Sequence, residues 1–319
     1  MRALILGAGG AIGSAMTRYL IRNRIECHAV VRSSTRQVRL ASVAPEVLHE
    51  CDIADSRVLG DLIRRLNPDL VITAAFPSGH AETDDARRRM LAGMTNGILG
   101  LFTALRDTSF QGRLVLVGSA SCYGKGGHPR HATDALRPQT FRGAVKAAER
   151  TLAAQLAAEL DIALTEIRVF TGFGPFEQRE RLVPQLLHAA LAGTRVRLTG
   201  QPFQRDWIYY DDIARSCLAA AAQRTRTPVV HNACSSTLTS THRVAAILEG
   251  IAGRSLVADE SFEGVDRYGD AEPGVLSSAF EGFEWKPTLS LEEGLEICWK
   301  WALSPAGSAY LLQADASKA

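Results

Sequence analysis

No apolar run in this chain approaches the roughly 20 residues needed to cross a bilayer as a helix, so no membrane span is expected. No basic-then-apolar leader precedes the first apolar strand, so a signal peptide is not expected. The six cysteines (Cys27, Cys51, Cys122, Cys217, Cys234 and Cys298) are widely scattered, with no Cys-x-x-Cys pair among them. That spacing argues against a disulfide framework and a metal site, and reads as reduced thiols in a cytoplasmic protein. Neither sign of charge dominates: 36 Lys and Arg against 34 Asp and Glu leave a net charge of +2, too little for a surface whose main partner is nucleic acid. Internal repeats and low-complexity blocks are also missing. What remains is an ordinary globular balance, 46 % hydrophobic and 22 % charged over 319 residues, enough for one large domain or two modest ones.

Glycine, by contrast, is placed in a pattern. Ala3 to Leu6 reads as a buried strand, Gly7, Gly10 and Gly13 follow at three-residue spacing, and Ser14 to Arg22 reads as a helix. Strand, glycine turn and helix start make a cradle for a pyrophosphate. Gly7 permits the tight turn, Gly10 lets the backbone approach the phosphates, and Gly13 lets the helix pack close to the strand. These glycines, with Ala11 and Ile12 between them, are the first candidate cofactor-binding residues. A second strand runs from Glu26 to Val31. An acidic residue at its end would grip both ribose hydroxyls of NAD, but Arg32, Ser33 and Ser34 stand there, with Arg36 beyond. A guanidinium and two hydroxyls suit a 2′-phosphate, so NADP is expected over NAD.

Val47 to His49 reads as a third strand, followed by Asp52, placed to hydrogen-bond an adenine amino group, and Ile53, placed to pack on its ring. A helix over Asp55 to Leu66 carries an apolar stripe at Val58, Leu62 and Leu66. The apolar strand Leu70 to Ala75 ends in Ala74 and Ala75, whose small side chains leave room for a cofactor. Asn96 lies in a long helix through Met90, Met94, Ile98, Leu101 and Leu105. The fifth strand, Arg113 to Gly118, leads into Ser119, a hydroxyl at the strand end where open parallel sheets bind ligands. A basic loop with Lys125, His128, Arg130, His131 and Arg137 precedes a helix over Gly143 to Leu160, which carries Lys146 and Glu149; Ile162 to Phe170 is the sixth strand. The alternation predicts an α/β fold, a doubly wound parallel sheet of Rossmann type.

Beyond Gly172 the pattern changes. Helices are expected at Leu182 to Leu191, at Thr241 to Gly250 and within Pro287 to Trp301, the last with a capping box of Ser290 and Glu293. Short strands are expected at Val196 to Leu198, Trp207 to Tyr209 and Val229 to Asn232, and Asp211-Asp212 reads as the cap of a further helix. The expected division is a Rossmann domain from 1–170 and 208–234, a smaller α/β substrate domain from 171–207 and 235–303, and a weakly ordered tail over 304–319.

Gly7-x-x-Gly10-x-x-Gly13, Asp52-Ile53, Asn96, Ser119-x-x-x-Tyr123-Gly124 and Lys146-x-x-Glu149 occur in one order. Arg168 with Gly174-Pro175, Arg205-Asp206-Trp207-Ile208-Tyr209 with Asp211-Asp212, and Trp285-x-Pro287 with Leu291 to Leu295 continue it. In this order the chain resembles the extended short-chain dehydrogenase/reductase family, in its NAD(P)-dependent epimerase/dehydratase branch. The resemblance covers about residues 2–303. It implies a bound nicotinamide nucleotide, Ser119 polarising a substrate oxygen, and Lys146 holding the nicotinamide ribose. It also implies a homodimer formed through two long helices per subunit, here near Ala86 to Leu105 and Gly143 to Leu160.

The family's catalytic tyrosine stands four residues before its lysine. Here that position is Arg142, in an ungapped Pro138-Gln139-Thr140-Phe141-Arg142-Gly143-Ala144-Val145-Lys146. A guanidinium binds anions but keeps its proton, so it is a poor general acid or base. An asparagine of the family is Thr171 here, which weighs against a nucleotide-sugar substrate, and the tyrosine usual before Gly174 is Phe173. Candidate catalytic residues are therefore Ser119, Lys146, Arg142 and Tyr123. Candidate substrate contacts are Phe76, Ser119, Tyr123, Arg142, Thr171 and Arg205. The expected activity is an NADP(H)-dependent, epimerase/dehydratase-like oxidoreductase acting on a small, anionic hydroxy or keto substrate. In it Ser119, Tyr123 or a loop histidine (His128 or His131) moves the proton. Two other readings stand beside it: a non-redox lyase or isomerase that uses the cofactor structurally, and a non-enzymatic NADP(H)-binding sensor.

Overall fold

The computed structural model describes residues 1–33, 38–77, 79, 81–223, 227–264, 273–276 and 285–313. The first half alternates strand and helix: β1 (Arg2–Leu6), α1 (Ala11–Arg22), β2 (Glu26–Val31), β3 (Leu48–Glu50), α2 (Ser56–Leu66), β4 (Leu70–Thr73), α3 (Asp84–Asp107), β5 (Arg113–Ser119), α4 (Phe141–Glu159) and β6 (Ala163–Val169). The second half runs β7 (Thr171–Phe173), α5 (Leu182–Ala192), β8 (Gln204–Tyr209), α6 (Tyr210–Ala221), β9 (Val229–Ala233), β10 (Leu238–Ser240), α7 (Thr241–Ala252), α8 (Leu291–Ala302) and α9 (Pro305–Leu312). Seven parallel strands form one sheet in the order β3-β2-β1-β4-β5-β6-β9, and β10-β8-β7 form a smaller one.

The large sheet is covered on both faces, which is why β4 and β6 are buried along their whole length. One apolar layer joins the sheet to α1 and α6 through Met16, Leu20, Ile213 and Cys217. The other joins it to α2, α3 and α4 through Leu59, Met94, Leu101 and Ala153. A third cluster, with Phe173, Leu186, Trp207, Leu248, Leu295 and Tyr310, packs α5, α7, α8 and α9 beside the small sheet. All six cysteines are free and buried.

Several local expectations are corrected. The buried stripe of α2 is Leu59, Leu62, Ile63 and Leu66, a true i, i+3, i+4, i+7 face, while Val58 points to solvent. Asp211 and Asp212 do not cap α6, which starts without a side-chain cap. Asp212 instead accepts from Thr288 N at 3.0 Å and Thr288 Oγ1 at 2.9 Å and pairs with Arg215 at 2.6 Å, and Asp211 pairs with Arg22 at 2.7 Å. At 196–199 there are only isolated bridges, Val196 to Val257 and Thr199 to Phe262. The region expected to be a weakly ordered tail begins with α9, which buries Tyr310 and Leu311 and is capped by Ser304. The capping box of α8 forms as expected, with Ser290 and Glu293 bonding reciprocally.

Candidate functional site

Gly7 adopts φ 78, and a Cβ there would stand 2.6 Å from the Ala75 backbone nitrogen. Only glycine admits this close crossing of β1 and β4. Gly10 is the N-cap of α1 and brings no side chain to the helix start. Gly10, Ala11, Ile12 and Gly13 line a cavity of about 500 Å³. The first N–H groups of a helix lack intrahelical partners, and the helix dipole adds positive potential there. A pyrophosphate fits this uncapped start, so the residues present suit a dinucleotide.

The same cavity reaches Ala74 and Phe76 after β4, Gly118 and Ser119 at the end of β5, Arg142 and Lys146 on α4, and Thr171 after β6. Ser119 Oγ lies 2.9 Å from Ser121 Oγ and accepts from Ser121 N at 3.3 Å. Lys146, 8 % exposed, donates from Nζ to Val117 O at 3.0 Å and to Glu149 Oε2 at 2.7 Å. Burial raises the Glu149 carboxyl above its ordinary range even though Lys146 pulls the other way. The Phe76 ring covers this ammonium at 4.1 Å and also carries the Arg142 guanidinium at 4.7 Å. Arg142 sits in the first turn of α4 because Thr140 caps that helix, accepting from Gly143 N. Its Nη1 donates to Pro77 O at 3.1 Å and Gly79 O at 3.4 Å. Two cations thus share one aromatic ring at the cavity wall, and Arg142 also ties down the segment after β4.

Tyr123 lies elsewhere. It is 1 % exposed, its hydroxyl donates to Asn232 Oδ1 at 2.7 Å, and Arg168 stacks on its ring at 4.7 Å. Burial pushes its phenol well above the ordinary value. It is a core residue outside the cavity lining, and this placement gives no support to a proton-transfer role. His128 and His131 are exposed and also outside the lining. Arg205 is buried on β8, donates to Gln204 O at 2.7 Å, and does not line the cavity. Among the expected adenosine contacts, Arg32 is exposed just after β2 and Ser33 is half-buried, whereas Ser34 lies outside the described residues. Asp52 is exposed and accepts from Ala54 N at 3.0 Å; Ile53 packs against α3. Asn96 is exposed on α3, and Ala75 contributes its backbone to the Gly7 crossing.

Sequence reasoning did not single out Glu177, Gln178, Arg181 or Tyr210, all of which line the cavity. Glu177 pairs through Oε1 with Arg181 Nε at 3.1 Å, while its Oε2 is buried without a partner. Burial pushes this carboxyl up to about 7, and Arg181 offsets part of the shift. The available signal was a Glu–Arg pair at i, i+4 just after the Gly174-Pro175 break. Among the described residues no group of three or more His, Cys, Asp or Glu side chains is arranged to hold a metal ion.

Known proteins of similar sequence and shape point one way. A low-salt glycan biosynthesis protein of Haloferax volcanii is 24 % identical over 309 residues, spanning 93 % of this chain and 97 % of its own length. The dTDP-glucose 4,6-dehydratase 1 of Escherichia coli is 23 % identical, spanning 95 % of this chain and 93 % of its own. The UDP-glucose 4-epimerase of Thermotoga maritima, solved with UDP-glucose, shares the fold at a TM-score of 0.81 and 22 % identity, over 94 % of this chain and 98 % of that one. A UDP-glucose 4-epimerase of Stenotrophomonas maltophila, solved with NAD and formylated UDP-arabinopyranose, does so at 0.83 and 23 %, over 94 % and 97 %. With a family model matching residues 3–234, on the sheet and glycine cradle described above, the chain belongs to the NAD dependent epimerase/dehydratase family.

Proposed function

We propose that the chain is a nicotinamide-dinucleotide enzyme of the epimerase/dehydratase type, acting on a small, anionic, hydroxy- or keto-bearing substrate. The observation that carries this reading is the continuous cavity. It joins the uncapped start of α1 to Ser119, Arg142 and Lys146. Gly7, Gly10 and Gly13, with the N–H groups of Ala11 and Ile12, would hold the pyrophosphate; Ala74 and Lys146 would flank the nicotinamide end. The dinucleotide, when bound, supplies hydride acceptance and donation. Ser119 offers a hydroxyl to a substrate oxygen, and Arg142 offers a fixed positive charge to a carboxylate or an oxyanion. The dTDP-glucose dehydratase and the UDP-glucose epimerases named above act on sugar nucleotides, and a sugar nucleotide is the alternative substrate, with Thr171 where the family has an asparagine.

Arg32 favours NADP(H), through charge at the end of β2; the NAD in the neighbouring epimerase structure favours the other dinucleotide. A thermal-shift comparison decides between them, since the tighter binder raises Tm more at equal concentration. Following nicotinamide absorbance with candidate carbonyl substrates then tests for hydride transfer. Turnover without any change or recycling of the nicotinamide supports the second reading, a non-redox lyase or isomerase. That reading is favoured by one observation: Lys146 is already engaged by Glu149, Val117 and Phe76. We place dimerisation on α3 and α4, where Leu91, Leu99 and Leu152 are exposed, and the protein in a reducing compartment, in keeping with its free thiols.

A further inference from the structure

Glu177 is held more firmly than a surface turn requires. The residue before it, Phe176, sits in the left-handed region at φ 65, which a bulky side chain rarely adopts. Arg39 donates from Nε to Phe176 O at 2.8 Å and from Nη1 to Gly9 O at 3.4 Å. One guanidinium therefore ties the Phe176 carbonyl to the glycine turn. Arg18 of α1 donates to Pro175 O at 3.3 Å and stacks on the Phe176 ring at 4.7 Å. The Tyr310 hydroxyl of α9 donates to Glu177 O at 2.8 Å. These contacts set Glu177, 2 % exposed, in the lining of the same cavity as Gly10 to Gly13. There Oε1 takes the Arg181 guanidinium and Oε2 has no partner.

A buried acceptor without a donor is costly, and protonation or a ligand removes the cost. A diphosphate in this cavity brings negative charge toward a carboxyl that is ion-paired with the Arg181 guanidinium on the same cavity lining. Two anions then compete for that cation, and the carboxyl yields by taking a proton. We infer that binding of a diphosphate in this cleft is coupled to protonation of Glu177. One proton passes from solvent to Oε2, forming an O–H bond as the ligand enters, and returns to solvent as it leaves. This rests on reading the cavity as a dinucleotide cleft. It also gives the cleft an exchangeable proton that Arg142 and the buried Tyr123 do not provide. The groups facing Glu177 are Arg181 and Glu180 on its own segment, Tyr210 on α6, Cys298 on α8, Tyr310 on α9, and Arg39 across the turn. Its burial already sets its carboxyl near neutrality, at about 7.

The test measures dissociation constants of NAD⁺ and, separately, UDP-glucose from about pH 6 to about pH 8, a range in which neither phosphodiester titrates. Wild type is expected to bind at least one of them up to about tenfold more weakly at the upper end, because the ligand-bound form must carry the extra proton. The ligand showing the slope identifies which diphosphate reaches Glu177. Glu177→Gln, which keeps shape and an acceptor for Arg181, is expected to bind with a flat profile. Calorimetry of wild type in two buffers of different ionisation enthalpy should show net proton uptake at about pH 7, and it needs no variant. Flat wild-type profiles for both ligands, a slope that survives in Glu177→Gln, or no proton uptake would each overturn the coupling. Failure of both ligands, and of NADP⁺, to bind at any pH would overturn the dinucleotide reading itself, and the coupling with it.

Discussion

Arg142 takes the place where the resemblance puts a phenol, and the fold gives it two jobs at once. It rests on Phe76 and bonds the carbonyls of Pro77 and Gly79, and it also faces the cavity. Arg142→Tyr separates them. If the guanidinium only braces the loop, the variant keeps activity within a few-fold and loses about 1 kcal/mol of stability, the size of a surface hydrogen bond. If it binds a substrate anion, kcat/KM falls by about 10²-fold or more, as for loss of a charge-stabilising donor. Steady-state kinetics with a Tm measurement distinguishes the two. That Gly10, Gly13, Ser119 and Lys146 would meet around one cavity was legible because each position is fixed by a local pattern that any such sheet imposes, while their roles belong to the proposal. The placement of Tyr123 was not legible, because a tyrosine five residues beyond a strand end looks the same whether its hydroxyl meets a ligand or Asn232. That choice is made by β9, more than a hundred residues away. Glu177 was missed for the matching reason: its burial comes from α6, α8 and α9, none of which adjoins it in sequence.

Among the elements, α9 carries more of the site than its position near the C-terminus indicated. Pro305 and Ser304 start a helix there, and the sequence offered both signals, but eight residues with no polar face read poorly as a helix on their own. Its order comes from packing on Phe176 and Trp301, with ring centroids 5.2 and 5.8 Å from Tyr310. Tyr310→Phe keeps that packing and removes the hydroxyl that bonds Glu177 O and accepts from Arg39 Nη2 at 2.9 Å. The expected cost is about 1–2 kcal/mol, read as a lower midpoint in urea with an unchanged slope. The strands of the large sheet were the easiest elements to read, since burial on both faces leaves near-continuous apolar runs. The segment at 196–199 was harder, because its partners at 257 and 262 give only single bridges and no periodic signal.

At the scale of the whole molecule, stability against pH is set by buried groups that pull in opposite directions. Burial raises Asp206 to about 6 despite four donors from Ser235, Ser236 and Gly274, and raises Glu177 to about 7. Both folded values exceed the unfolded ones of about 4. Their contribution is complete below about pH 4 and is lost as pH rises through about 6 and 7. Burial lowers His231 to about 4, against an unfolded value of about 6.5. Its contribution is complete above about pH 6.5 and is lost as pH falls toward 4. Two contributions are lost over the interval in which one is gained, so scanning calorimetry should show Tm falling from about pH 4 to about pH 7, with a shallower decline in Glu177→Gln. A Tm still climbing at about pH 8 would contradict these assignments. The doubly wound architecture was visible in the order of strands and helices, whereas the third apolar cluster was not, since its members come from separate segments spread between Phe173 and Leu311.

The interior placement of every thiol has a practical outcome. Burial raises the thiols well above their ordinary range, so the native surface offers alkylating reagents no thiolate to attack. Labelling of the unaltered protein then acts as a clock for opening of the core, and a fluorophore can be attached at one engineered surface cysteine without removing any of the natural six.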